Sequence, residues 1–142
     1  MTKKELSQLY WLNREIEEEK RKLRELEAAS TSSTAKITGL PHVSGAHDKI
    51  GDMAILIAEQ WDLIDLKVRQ SVIEYNRLNR YIAGVEGAQM RMILSLRYVN
   101  GLSWQQVAFA IGETDESYPR RKHNDFLKKS EVAENAEQKV VG

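Results

Sequence analysis

The residues with the most distinctive chemistry lie between 116 and 129, where cations gather in a 142-residue chain of zero net charge. Five positive side chains stand there against two carboxylates: Arg120, Arg121, Lys122, Lys128 and Lys129 against Glu116 and Asp125. Guanidinium groups bind phosphates and read guanine through paired hydrogen bonds, and an asparagine such as Asn124 reads adenine in the same way. This local excess of positive charge predicts a surface that binds a polyanion, with a solvated charged face as the alternative.

Composition excludes several other kinds of chemistry. The chain has no cysteine, so disulfides and thiolate metal sites are ruled out and a reducing compartment suits it. His42, His47 and Asp48 are close in sequence, but their surroundings are rich in glycine and serine, and we expect no metal site. The carboxylates follow a solvated pattern and no phosphate-binding glycine loop occurs, so we expect neither a cofactor nor an enzyme.

The N-terminal region lacks the uninterrupted apolar core of a signal peptide, and no apolar run is long enough to span a bilayer. We therefore expect no membrane partner and a cytoplasmic location.

Two long heptad patterns precede the basic segment. Residues 1–28 predict a helix with Leu9, Ile16 and Leu23 in one row and Leu12 and Leu26 beside it, where Glu19 interrupts. Residues 29–47 are rich in Ser, Thr and Gly and predict a flexible linker. Residues 48–83 predict a second long helix with two heptad rows: Ile50, Ile57, Ile64, Ser71 and Leu78 in one, and Ala54, Trp61, Val68, Tyr75 and Ile82 in the other. Such stripes predict packing between helices, either as an intramolecular hairpin or as a dimer. The three tryptophans, Trp11, Trp61 and Trp104, also fall at helical core spacing.

The part of the chain from 86 to 129 predicts three shorter helices. The first places Met90, Ile93, Leu94 and Tyr98 on one face and ends at Asn100-Gly101. Ser103 and Gln106 have capping-box spacing, and Leu102 with Val107 can form a hydrophobic staple, so a second helix begins at Ser103. That helix buries Val107, Ala108 and Ile111 and ends at Gly112.

The third helix is the basic one, and the sequence is compatible with two registers for it. We favour Ser117 as N-cap with Tyr118 and Pro119 in the first turn, and Phe126 and Leu127 packed inward. The alternative register buries Tyr118 and Phe126. Pro119 and His123 stand where the helix would meet the core, and residues 130–142 predict a flexible tail.

The run LSLRYVNGLSWQQVAFAIG resembles region four of bacterial primary sigma factors and the small phage-encoded regulators built on it. The likeness covers about Ala88 to Lys129. It implies a helix–turn–helix that binds promoter DNA in the cytoplasm of a bacterial host cell, often with contact to RNA polymerase. The expected fold is therefore all-α, a long heptad-patterned hairpin or coiled coil followed by a sigma region-four-like helix–turn–helix.

In that arrangement residues near the start of the third helix enter the major groove first, and later lysines contact phosphates. The residues predicted to contact DNA are Ser117, Tyr118, Arg120, Arg121, Lys122, Asn124 and Lys128, together with Gln105 and Gln106 of the preceding helix.

Two function classes follow. The leading hypothesis is a transcriptional regulator that binds double-stranded DNA, whose heptad helices form a homodimer or present a surface to RNA polymerase. The alternative is a helical assembly protein, such as a DNA-packaging adaptor that resembles a small terminase subunit. RNA binding is disfavoured because no loop interleaves aromatic residues with cations.

Overall fold

The computed structural model describes residues 1–37 and 45–141, with side chains described for 1–31 and 51–141, and every regular element in that part is helical. The prediction of an all-α protein is confirmed. The helices are α1 (Lys3–Leu6), α2 (Gln8–Ile37), α3 (Gly45–Ala83), α4 (Ala88–Leu94), α5 (Trp104–Ala110) and α6 (Ser117–Val141), with a π-helical segment, Ser95–Val99, continuing α4. Two compact units result: a head unit, made of Met1–Trp11 and Val72–Gly142, and a hairpin unit, Leu12–Ser71.

The hairpin unit pairs parts of α2 and α3 in antiparallel fashion. Ile16, Leu23 and Ile64 are buried, in agreement with the first heptad row of each helix. Polar pairs continue along the same seam. The Gln60 amide donates to the backbone oxygen of Glu19 at 2.8 Å and to its carboxylate at 2.6 Å, while Ser71 Oγ donates to Asn13 Oδ1 at 2.8 Å. The two positions that interrupt the apolar stripes, Glu19 and Ser71, therefore make the polar contacts that set the register of the hairpin.

The second heptad row of α3 does not form a buried stripe. Ala54, Trp61, Val68 and Tyr75 are exposed, and among the described members of that row only Ile82 is buried. In the hairpin unit, α2 covers the side of α3 that carries Ile64, which leaves the flank with Trp61 and Val68 outside the seam. The prediction of core positions for tryptophan is also wrong at Trp11 and Trp61, which are 59% and 54% exposed.

Both long helices extend further into the predicted linker than composition suggests. Helix α2 continues through Ile37 and α3 begins at Gly45, so residues 29–37 and 45–47 of the predicted linker are helical. Serine and threonine are weaker helix formers, but they do not end α2, and Thr31 Oγ1 donates to the Glu27 carbonyl of the preceding turn at 2.9 Å. The side chains of His42, His47 and Asp48 lie outside the described residues.

The head unit closes one apolar interior with side chains from several helices. Its central cluster consists of Leu6, Leu9, Leu78, Ile82, Val85, Leu94 and Tyr98. Each fully buried leucine in such a core contributes about 1.5–3 kcal/mol relative to exposure. Phe126 and Leu127 of α6 pack against this cluster, as the favoured register predicts.

The C-terminal segment is helical and not a flexible tail. Helix α6 continues to Val141 because the residues after Lys129 include no glycine or proline before Gly142 and are mostly good helix formers. The amino terminus of Met1 forms an ion pair with Glu134 Oε1 at 2.7 Å, which ties this extension to the rest of the head unit.

Candidate nucleic-acid interface

The turn before α5 is built by local sequence chemistry, as predicted. Gly101 has φ +69°, a conformation that favours glycine, and a Cβ at this position would lie 3.6 Å from the Tyr10 ring. Ser103 caps α5 by accepting from the Gln106 backbone N–H at 3.3 Å, and the Gln106 side-chain oxygen accepts from the Ser103 N–H at 2.9 Å. The capping box is confirmed, and it engages one end of the Gln106 amide. Gln105 is exposed at the start of the same helix.

Arg97, in the preceding π-helical segment, stabilises the same turn. Its guanidinium donates to the Leu102 carbonyl at 2.8 Å and lies over the Trp104 ring, 4.7 Å from the ring centroid. Gly112 ends α5 with φ +83°, and the Glu113 N–H donates back to the Ala108 carbonyl at 2.9 Å. Both ends of α5 are thus held by contacts within a few residues, which gives this short helix a defined position.

The buried face of α6 is anchored by Pro119 and His123. Both side chains are almost fully buried, where sequence reasoning placed them. The His123 ring contacts the Trp104 ring edge-on, with centroids 4.8 Å apart, and its Nε2 lies 2.5 Å from the Tyr98 hydroxyl. These contacts fix both the depth and the rotation of α6 on the head unit.

The contacts of His123 fit a neutral ring. In a neutral ring protonated at Nδ1, Nδ1 donates to Asn124 Oδ1 at 3.0 Å, and Nε2 is left to accept from the Tyr98 hydroxyl. Burial lowers the pKa of His123, and the charges of Lys3 and Arg97 lower it further. Burial also raises the pKa of Tyr98 to about 12, so the hydroxyl keeps its proton at neutral pH.

The opposite face of α6 carries the predicted contact residues. Because seven residues make close to two helical turns, Ser117, Arg121, Asn124 and Lys128 line up along one side of the helix, away from His123. Arg120 is exposed beside this line, and Arg121, Asn124 and Lys128 are exposed within it. Lys122 is exposed on the other flank, where its ammonium lies 5.6 Å from the centroid of the Tyr118 ring. We call Arg120, Arg121, Asn124 and Lys128 the basic stripe.

Four cations at this end of α6 have no carboxylate within 4 Å among the described residues: Arg120, Lys122, Lys128 and Lys129. Arg121 is the exception, since its Nη2 lies 3.9 Å from Asp115 Oδ2. At this separation, with both side chains more than half exposed, the pair is weak. The charge of the stripe is therefore available to an external polyanion.

Asp115 is a residue that sequence reasoning missed. Its carboxylate accepts from the Ser117 N–H at 2.9 Å and from the Ser117 hydroxyl at 2.7 Å, so Asp115 takes the capping role predicted for Ser117, which is the first residue of α6. These hydrogen bonds lower the pKa of Asp115, helped by the charges of Arg121 and Arg120. An aspartate two residues before a helix is a capping signal that the sequence carried.

Two of the predicted contact residues are partly engaged inside the protein. Tyr118 is half-buried, and its hydroxyl lies 3.4 Å from the Gln89 side-chain nitrogen at the start of α4. Asn124 is exposed, but its amide oxygen faces His123. Its NH₂ group and the second lone pair of the oxygen are the parts left for an external partner.

Metal-ligating clusters and clefts are two other kinds of site that the described part of the chain can be searched for. No group of three or more His, Asp or Glu side chains there is arranged to hold a metal ion. A cleft of about 480 Å³ lies beside the Gly101 turn and is lined by side chains that include Lys3, Arg97 and Trp11, with no carboxylate among its lining residues. It therefore lacks a paired acid and base.

No protein-family model, curated protein or solved structure matches this chain. None of the helices in the described ranges is long and apolar enough to cross a membrane.

Proposed function

We propose that the chain is a transcriptional regulator that binds double-stranded DNA in a sequence-specific manner through a helix–turn–helix formed by α4, α5 and α6. The observation that carries this proposal is the division of α6 into two faces. Pro119 and His123 hold one face in the core, while the basic stripe lies on the other. A helix held in this way can enter a major groove without losing its packing.

The contacts divide by chemistry. Arg120 and Arg121, near the start of α6, are suited to guanine, and the amide of Asn124 is suited to adenine. Lys128 lies two turns further along the same side of the helix and is suited to a backbone phosphate, as is Lys129 beyond it. Gln105, exposed at the start of α5, is placed for a second phosphate contact. The resemblance to sigma region four adds RNA polymerase as a proposed protein partner.

The deciding experiment uses duplex fragments selected from bacterial or phage genomic DNA by their affinity for the full chain. Arg120→Ala/Arg121→Ala should weaken binding at least about 30-fold, because each bidentate base contact is worth about 1–3 kcal/mol. Its thermal unfolding should change little, since both side chains are exposed. A matched control is Arg24→Ala/Arg80→Ala, which removes two exposed arginines elsewhere and should bind like the wild type.

Salt dependence tests the electrostatic part of the same proposal. Replacing Lys128 and Lys129 with alanine should reduce the slope of log K against log salt by about 1.8. Equal affinity for the Arg120/Arg121 variant and the wild type would contradict the proposal. So would failure of the wild type to bind any duplex at low salt.

A second candidate function is an assembly protein, such as a DNA-packaging adaptor resembling a small terminase subunit. The large apolar side chains exposed on α3 favour it, because monomers rarely expose extended apolar patches. Salt-sensitive duplex binding separates the two candidates. If the chain is an assembly protein of this class, it should associate with other chains. In that case the Arg120/Arg121 variant should bind DNA as well as the wild type does.

A further inference from the structure

The cleft of about 480 Å³ beside the turn at Gly101 lies entirely within the head unit. Pockets that hold small molecules usually enclose about 300–1,000 Å³, so a ligand of that size fits. Three separate parts of the sequence form its walls: residues 3–11, the π-helical segment, and residues 101–106. We call it the Gly101 cleft. No residue of α6 lines it, so it is distinct from the basic stripe.

The polar groups that line the Gly101 cleft include hydrogen-bond donors with spare capacity. Lys3 and Arg97 are cations, and no carboxylate is among the lining residues. The Lys3 ammonium has no acceptor among the described residues, and Arg97 uses one of its N–H groups on a backbone carbonyl. The NH₂ group of Gln106 also has no acceptor there, because this side chain is engaged through its oxygen. Spare donors without a neighbouring carboxylate favour an anionic ligand.

The two cations act on the same region of the head unit. Burial lowers the pKa of His123, and the charges of Lys3 and Arg97 lower it further. The His123 ring in turn forms a hydrogen bond with Tyr98, which lines the cleft. Two positive charges that both reach one buried ring from distant parts of the sequence create fields that add in the cleft between them.

An accessible aromatic ring lies in the same cleft. Trp11 lines it and is nevertheless 59% exposed. Its ring meets the Tyr10 ring edge-on, with centroids 5.2 Å apart, and this contact restricts the orientation of the indole. Exposed indole rings stack well on flat aromatic groups, and nucleobases are the commonest such groups that also carry an anion.

We propose that the Gly101 cleft binds a nucleoside phosphate, with the phosphate at Lys3 and Arg97 and the base against Trp11. The anion and the flat ring of this ligand match the two kinds of group in the walls. A phosphate of duplex DNA matches less well, because a duplex keeps the faces of its bases stacked inside and offers Trp11 no ring. This inference does not depend on the proposed DNA binding.

Arg97 is held in position before any ligand arrives. Its hydrogen bond to the Leu102 carbonyl and its place over the Trp104 ring fix the guanidinium at two points. A side chain that is already ordered loses less conformational entropy on binding. Because the same contacts stabilise the turn, replacing Arg97 would disturb the fold, and the exposed Lys3 is the better position for a test.

Isothermal titration calorimetry of the full chain with adenosine 5′-monophosphate tests the binding. One equivalent should bind, with a dissociation constant below about 1 mM. Adenosine and inorganic phosphate each carry one part of the recognised chemistry, and each should bind at least about tenfold more weakly. The monophosphates of guanosine, cytidine and uridine are titrated in parallel, since stacking tolerates any base.

Two variants with matched controls locate the site. Lys3→Gln should raise the dissociation constant about fivefold or more, whereas Lys4→Gln, which removes the neighbouring charge outside the cleft, should not. Trp11→Ala should also raise it about fivefold or more, whereas Trp61→Ala, at a similarly exposed position in the hairpin unit, should not. Circular dichroism should show the same helicity for all four variants, since the replaced side chains are exposed.

Three results would overturn the inference. One is the absence of saturable binding of any of the four monophosphates up to about 10 mM. Another is inorganic phosphate that binds as tightly as the nucleotide while Trp11→Ala has no effect, which would make the cleft a plain phosphate site. The third is nucleotide binding that Arg120→Ala/Arg121→Ala abolishes and Lys3→Gln leaves intact, which would place the nucleotide on the basic stripe.

Discussion

In the head unit, side chains from α1, α2, α3, α4 and α6 close a common interior, whereas in the hairpin unit two helices share one narrow seam. Leu6, Ile93, Leu94 and Val107 of the head unit have no measurable exposure. Among its described residues, the hairpin seam mixes three buried aliphatic side chains with polar pairs and leaves a second apolar flank of α3 outside. The difference shows that a pair of helices supplies little interior of its own, while several helices together can hold one surface rigidly.

The largest expected effect distinguishes these interiors directly. Leu94→Ala should lower the free energy of unfolding by about 2–5 kcal/mol, because the closed interior cannot collapse around the missing atoms. Ile64→Ala in the hairpin seam should fall at the low end of that range, since the seam borders solvent and can close up. Urea denaturation monitored by amide hydrogen exchange shows in which unit the free energy of unfolding has decreased. Equal losses at the two sites would contradict the comparison.

A second effect depends on pH and belongs to the head unit. His123 is neutral in the folded state with a lowered pKa, and in the unfolded chain its pKa is about 6.5. Between these values the unfolded chain binds more protons, so the stability contributed by the neutral ring is present above pH 6.5 and is lost as the pH falls toward the folded value. The loss is at most about 1.4 kcal/mol for each pH unit.

The measurement compares urea titrations of the wild type and His123→Gln at pH 7 and pH 5. The wild type should lose more stability than the variant over this interval. Lys3 and Arg97 also act on the ring, so neutralising Lys3 with Lys3→Gln should make the loss smaller. Identical pH dependence in the wild type and His123→Gln would show that the ring titrates normally.

A third effect concerns the polar seam of the hairpin unit. The Gln60 amide supplies two hydrogen bonds to Glu19 and is the first cause of the lowered pKa of that carboxyl. Gln60→Leu removes both donors and should lower the Tm of this unit by roughly 4–8 °C. The double variant Glu19→Leu/Gln60→Leu extends the apolar seam and should recover the loss. A double variant that is less stable than Gln60→Leu would show that this pair does more than set the register.

The smallest effect lies at the start of α5. Ser103→Ala removes the cap on the Gln106 N–H and should cost about 1 kcal/mol, while Ser103→Asn, which keeps an acceptor, should cost little. If the proposed DNA binding is correct, Ser103→Ala should also weaken it, because α5 positions the turn that precedes α6. The free energy of unfolding and the affinity for duplex DNA should therefore both fall in Ser103→Ala and both stay close to the wild type in Ser103→Asn.

Sequence reasoning succeeded wherever the cause of a structure lies within a few residues. The Ser103–Gln106 capping box, the glycine at 101, the end of α5 at Gly112 and the early position of Pro119 in α6 all depend on local backbone and hydrogen-bond chemistry. The first heptad row of each long helix was also predicted correctly, at Ile16, Leu23 and Ile64.

It failed where local composition was a poor guide to the helix ends. Residues 29–37 and 130–141 were predicted as linker and tail because they are polar, yet both are helical. Polarity lowers the apolar surface available for burial but does not stop a helix that contains no glycine or proline and continues from a packed segment.

The sequence by itself determined that this protein is helical, where its short turns lie and which segment concentrates positive charge, because each of these follows from neighbours along the chain. Tertiary structure decided which flank of α3 packs against α2. It also decided that Glu19 hydrogen-bonds to Gln60 and that Tyr98 hydrogen-bonds to His123 beneath the basic stripe. Those outcomes join residues from 25 to 58 positions apart, and a pattern within one helix cannot specify which of its apolar sides a distant helix will cover.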